Sequence, residues 1–163
     1  MLPPVRFNTP NQIAVGDINS DNRPDLVFSR YLDEPEAKLG LIFQQPNGLL
    51  SSSQNLSDPL FIRPTAISIS DINFDGLNDI LVINTGYPRS GISAFTQNQN
   101  NTFDSPIYYP IPIINNVSGH SITNVDTDQD GKPDVFAFAS WDGYILFLKP
   151  ILGYELYMPL IIR

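Results

Sequence analysis

Cysteine is absent from the 163-residue chain, which removes disulfides, thiolate metal sites and cysteine nucleophiles together. Histidine occurs once, so a multi-histidine zinc site is not available either. The G-x-S-x-G and H-E-x-x-H signatures of hydrolases are missing, and the chain is not expected to be an enzyme. Basic side chains are few: nine Lys and Arg stand against seventeen Asp and Glu, the formal charge is −8, and the nine form no cluster. Nucleic acid is therefore excluded as a partner, because neutralising phosphates needs a basic patch. Long apolar runs are lacking too, so no membrane-spanning segment is expected. The start MLPPVRFNTP has neither the basic n-region nor the apolar core of a signal peptide.

Apolar residues nevertheless make up 42% of the chain and charged ones 16%, a balance that supports a packed core within one domain. Fifteen Pro and ten Gly, scattered among many Asn and Ser, interrupt the chain too often for long helices but at intervals that suit short strands. The expected class is all-β.

An internal repeat dictates the architecture. The segments DINSDNRPD (17–25), DINFDGLND (71–79) and DTDQDGKPD (126–134) align without gaps and start 54 and then 55 residues apart. Before each stands a short alternating or apolar stretch (QIAVG, AISIS, SITNV). After each comes a nearly continuous apolar one (LVFS, ILVIN, VFAFAS), as in a strand covered on both faces. A third strand is read at 39–45, 91–97 and 144–149, the last reached through an Asp142-Gly143 hairpin turn. A fourth, Pro-containing and hence edge-type, is read at 56–64, 103–112 and 154–162. Four strands per repeat is the pattern of a propeller blade, with blades at about 4–58, 59–112 and 113–163 in a single repeat domain.

The nine-residue segments carry the chemistry. Positions 1, 3, 5 and 9 present side-chain oxygens, and position 6 is Asn22, Gly76 or Gly131, residues that tolerate a sharp turn. Converging oxygens on a tight loop are what a hard divalent cation requires. The expected side-chain ligands are Asp17, Asn19, Asp21 and Asp25; Asp71, Asn73, Asp75 and Asp79; and Asp126, Asp128, Asp130 and Asp134. Arg23, Leu77 and Lys132 at position 7 would add backbone carbonyls. One such loop alone would pass for a polar turn, but three aligned copies speak against that. An EF-hand is ruled out, because position 12 is Phe28, Val82 or Ala137 where a bidentate acid is needed. The loops hold ten of the seventeen acids, so three Ca²⁺ ions would bring the charge from −8 to about −2. The third loop, with four carboxylates, is expected to bind most tightly.

In these loops and their flanking strands, most plainly VDTDQDGKPDVFAFAS, the chain resembles the FG-GAP or VCBS repeats of integrin α-subunit propellers and bacterial surface proteins. The resemblance implies calcium between the first and second strands of each blade, an extracellular or cell-surface setting, and a role in adhesion, scaffolding, or protein or glycan recognition. Lectins and accessory domains of secreted enzymes are the alternatives it leaves open. Family propellers usually have seven blades, whereas three repeats fall short of the roughly four to eight of a closed ring. The expectation is half of a six-bladed ring, completed by a second chain as a homodimer or similar self-association. PVRFNTPNQIAVGD resembles LFIRPTAISISD, like the end of a fourth strand running into a first, and fits such a closure.

Other residues are read as structural. His120 precedes a first strand and is taken as a turn residue. Trp141, Tyr108, Tyr109, Tyr154 and Tyr157 are assigned to packing between blades ahead of sugar stacking. Asp33, Glu34 and Glu36 form a solvated connection ahead of a glycosidase pair. The glycosylation tripeptides at Asn55, Asn100 and Asn116 matter only in a eukaryotic secretory route.

Overall fold

A computed structural model of the chain describes residues 10–30, 38–57, 63–86, 89–110, 120–139, 144–151 and 155–157. Among these all regular structure is β, arranged as three antiparallel four-stranded meanders in chain order. The first sheet contains β1 (Pro10–Gly16), β2 (Asp25–Arg30), β3 (Lys38–Ile42) and β4 (Gln54–Ser57). The second contains β5 (Pro64–Ser70), β6 (Asp79–Gly86), β7 (Arg89–Phe95) and β8 (Ile107–Pro110). The third contains β9 (His120–Val125), β10 (Asp134–Ala139), β11 (Tyr144–Ile151) and β12 (Glu155–Tyr157).

The sequence repeat is also a repeat of register. Ile13 pairs with Phe28, Ile67 with Val82 and Ile122 with Ala137, and each ladder closes at the mouth of its loop, on Gly16↔Asp25, Ser70↔Asp79 and Val125↔Asp134. The last aspartate of each loop is thus also the first residue of the second strand. Pairing of Ala139 with Tyr144 brackets the expected Asp142-Gly143 turn, which itself lies outside the described residues.

The inner strands stand where the apolar runs place them. In the first repeat the fourth strand differs: it occupies Gln54–Ser57, at the start of the expected 56–64 stretch, while Pro64 already opens β5. An edge strand pairs on one side only and needs no apolar run, so hydrophobicity marks its position poorly. Pro110 does sit on an edge strand, β8, as expected. Outside the described residues lie 4–9 at the head of the first repeat, most of the Pro-rich stretches at 58–62 and 158–162, Asp33, Glu34 and Glu36, Asn116, Trp141 and Tyr154.

Two apolar clusters hold the sheets face to face. Val27, Leu39 and Leu41 of the first sheet meet Ile67, Ile80, Val82 and Phe95 of the second. Leu81, Ile83, Ile92 and Ala94 meet Ile122, Val135 and Ala137 of the third. Consecutive residues of β6 point to opposite faces, so this strand is buried on both sides and reads as a continuous apolar run. Each of its fully buried side chains contributes on the order of 2 kcal/mol of transfer free energy. The first strands β1, β5 and β9 are neighbours across the two seams. Tyr109 packs against the second cluster, the inter-sheet role expected of it, whereas Tyr108 lies over Gly91 within its own sheet.

Candidate functional site

The three acidic loops join the first and second strands of their sheets, all in one conformation. Position 1 acts as the hub. Asp17 accepts hydrogen bonds from the N–H groups of Asp21 (3.1 Å) and Asn22 (2.7 Å), Asp71 from Asp75 (3.1 Å) and Gly76 (2.8 Å), and Asp126 from Asp130 (3.2 Å) and Gly131 (2.9 Å). Position 3 accepts from the N–H of position 5 in each loop. Position 5 accepts from the N–H of position 7: Asp21 from Arg23, Asp75 from Leu77 and Asp130 from Lys132. The acidic side chains are thereby held inward around a curled backbone.

That curl needs two left-handed residues per loop. Asn22, Gly76 and Gly131 at position 6 have φ of 60°, 85° and 83°, as their residue types indicate. Position 4 is left-handed as well, at Ser20 (60°), Phe74 (63°) and Gln129 (61°), which nothing in those side chains signals. For a bulky residue such as Phe74 this backbone is strained, and it persists because the surrounding hydrogen bonds over-determine it.

Position 9 is placed differently from the other three. Asp25 and Asp79 are fully buried and bracket the loop to the third strand: Asp25 accepts from Ile18 N–H (3.1 Å) and Gln44 N–H (2.8 Å), Asp79 from Ile72 N–H (3.0 Å) and Gln97 N–H (2.8 Å). Burial pushes the Asp79 carboxyl up to about 6, opposed by those two N–H donors and assisted by the nearby charges of Asp75 and Asp71. Burial raises Asp25 from the usual carboxylate value in the same way. Asp134 is buried too and accepts from the N–H and hydroxyl of Thr127. By register the residue matching Gln44 and Gln97 is Pro150, which has no N–H to offer. The Gln clamp was not legible in the sequence, because it depends on how the third strand pairs.

The side-chain oxygens of Asp126, Asp128 and Asp130 lie within 4.8 Å of one another. Oxygens about 2.4 Å from a common centre are at most about 4.8 Å apart, so the spacing fits a calcium-sized ion, and the all-oxygen donor set is the one a hard cation takes. The first and second loops share the hydrogen-bond pattern around Asp17, Asn19 and Asp21, and around Asp71, Asn73 and Asp75. Their carboxylates are engaged differently: Asp21 forms an ion pair with Arg23, and Asn73 donates to Asp75 at 3.0 Å. In the third loop Lys132 instead leans over the Phe74 ring of the neighbouring loop, 4.8 Å from its centre.

The two seams differ at this end. The Asn78 amide donates to the Asp17 carbonyl at 2.8 Å and ties the first two loops together. Pro133 holds that position in the third repeat and offers no donor. An open groove of about 660 Å³ lies there between the second and third loops, lined in part by Ser68, Ser70, Asn124 and Lys132.

Fold and site together define an all-β repeat protein in which each four-stranded sheet carries one carboxylate-rich loop. Residues 71–137, which run from the second loop through β10, match the family model of the FG-GAP-like repeat. The match agrees with the resemblance carried by the loops, and an FG-GAP-like repeat suggests a module of β-propeller type. No curated protein matches the chain. Among the described residues no helix is long and apolar enough to cross a membrane.

Proposed function

We propose that the chain is a calcium-binding, non-catalytic propeller module that serves recognition, adhesion or scaffolding outside the cell. The observation that carries this reading is the convergence of the Asp126, Asp128 and Asp130 oxygens, on a backbone curl that recurs in all three loops. A bound Ca²⁺ would supply charge neutralisation to each cluster. The side chains at positions 1, 3 and 5 would hold it, with the position 7 carbonyls of Arg23, Leu77 and Lys132 and the remaining lone pairs of Asp25, Asp79 and Asp134 completing the shell. Sites of this kind, with Kd of about 10⁻⁴ to 10⁻³ M, suit extracellular calcium. The groove beside the third loop is where a protein or glycan ligand would meet the loop end of the sheets.

The third loop is the tightest site in this reading. It has four carboxylates, and its Lys132 is parked on Phe74, whereas Arg23 competes for Asp21 in the first loop. Calorimetric titration of EDTA-stripped protein is expected to show up to three calcium ions and a rise in melting temperature. Asp128→Asn is expected to weaken the strongest binding step. An unchanged melting temperature with no heat of binding would overturn the proposal.

A further inference from the structure

The two seams bring the acidic loops together in different ways. At the loop end of the first seam the sheets approach closely: a Cβ on Gly16, the last residue of β1, would come within 2.8 Å of Ile69 Cγ2 in β5. One residue further on, the Asn78 amide donates to the Asp17 carbonyl at 2.8 Å. Asp17 is the hub around which the first loop curls, through its bonds from Asp21 and Asn22 N–H. Asn78 immediately precedes Asp79, whose buried carboxylate closes the second loop onto Ile72 N–H and holds Gln97 N–H. Closure of the second loop thus fixes the donor, and curling of the first loop fixes the acceptor. At the second seam Pro133 takes the place of Asn78 and supplies no amide, and the groove lies between the second and third loops.

We infer that the first and second loops form one cooperative cation-binding unit, coupled through the Asn78 amide, while the third loop binds independently of them. This rests on the calcium reading of the loops and adds to it how the sites communicate. The first two loops each carry three aspartates, whose mutual repulsion opposes the closed curl until a cation neutralises it. A cation that orders one loop fixes one end of the Asn78–Asp17 bond and so favours order at the other end. The next cation then meets a loop with less conformational entropy to lose, which is positive cooperativity without a change of fold. The coupling is reciprocal, so each of the two loops raises the affinity of the other by the same factor. One net hydrogen bond sets that factor at about 3- to 10-fold.

Calorimetric titration with Ca²⁺ of full-length variants, each with one or two loops disabled, tests the inference. Asp130→Ala leaves the first two loops and is expected to bind two ions with a Hill coefficient above 1. Adding Asp75→Ala leaves the first loop alone, and its affinity is expected to fall about 3- to 10-fold below the second step of that pair. Asn78→Ala in the Asp130→Ala background is expected to keep both ions and the far-UV circular dichroism but to lose the cooperativity. The third loop, measured alone in Asp21→Ala/Asp75→Ala, is expected to match the tightest step of the parent protein. Two independent sites in Asp130→Ala, or a pair that stays cooperative without the Asn78 amide, overturns the inference. So does a third loop whose affinity changes when the other two are disabled. Should Asn78→Ala fail to fold, the first loop with and without the second decides without touching Asn78. Binding without cooperativity overturns this inference alone, whereas no binding in the parent protein overturns the calcium reading and this inference with it.

Discussion

Asp79 concentrates the physics of the site in one side chain. It begins β6, closes the loop onto Ile72 N–H and clamps Gln97 N–H, all while fully buried. A buried carboxylate is tolerable when hydrogen-bonded, but burial still disfavours its charge. In metal-free protein its carboxyl titrates at about 6 against an ordinary value of 3.8. The folded state therefore holds this proton more tightly than the unfolded chain. The stability it contributes is fully present below about 3.8 and is lost as pH rises through about 6. The loss is on the order of 3 kcal/mol. Urea melts of metal-free parent and Asp79→Asn proteins between those pH values check it: the stability difference should change with pH in this direction, and a flat difference would contradict it.

The ligand positions were legible in the sequence because Asp, Asn and Gly recur at fixed spacing, three times. The clamp from Gln44 and Gln97 was not, since it is made by backbone N–H groups that any residue except proline supplies. Position 4 of the loops was equally silent, because Ser20, Phe74 and Gln129 share a backbone conformation and nothing else.

Among the elements, the second and third strands were legible from their apolar runs, and the edge strands of the second and third repeats fall within their Pro-containing stretches, whereas that of the first lies earlier than expected. β3 shows why a strand needs more than hydrophobicity. Gly40 pairs with Phe28, and a Cβ at Gly40 would come within 2.0 Å of the Phe28 ring. The ring lies across the strand, with the Arg30 guanidinium 5.1 Å from its centre. Gly40→Ala must displace that ring or the strand and is expected to destabilise the protein by about 1–3 kcal/mol, read from urea unfolding. A neutral effect would mean that Phe28 has room to move. The third repeat departs from the second through Pro150 and Pro133, which remove the third-strand N–H clamp and the amide bridge. It is there that the groove opens.

For the whole molecule, the second sheet is the keystone, packed against the first sheet on one face and the third on the other. Leu81 fills the second seam with no exposure. Leu81→Ala is expected to cost about 2–5 kcal/mol. Because β6 serves both seams, unfolding should remain a single transition, with fluorescence and circular dichroism coincident; separate transitions would show sheets that fold independently.

Period, strand order and the oxygen-rich loops were determined by the sequence alone, because alternation, turn residues and repeated Asp spacing are local and survive without knowledge of contacts. Three matters were decided only by the tertiary structure: which face of each sheet is covered, that the ninth-position aspartates are buried clamps, and that one seam is sealed by Asn78 while the other is open. The first and third depend on residues more than fifty positions apart, such as Asn78 and Asp17 or Asn124 and Ser68, coming together across a seam, and the clamps depend on how the third strand pairs. No local pattern encodes which of two otherwise equal neighbours such a side chain will meet.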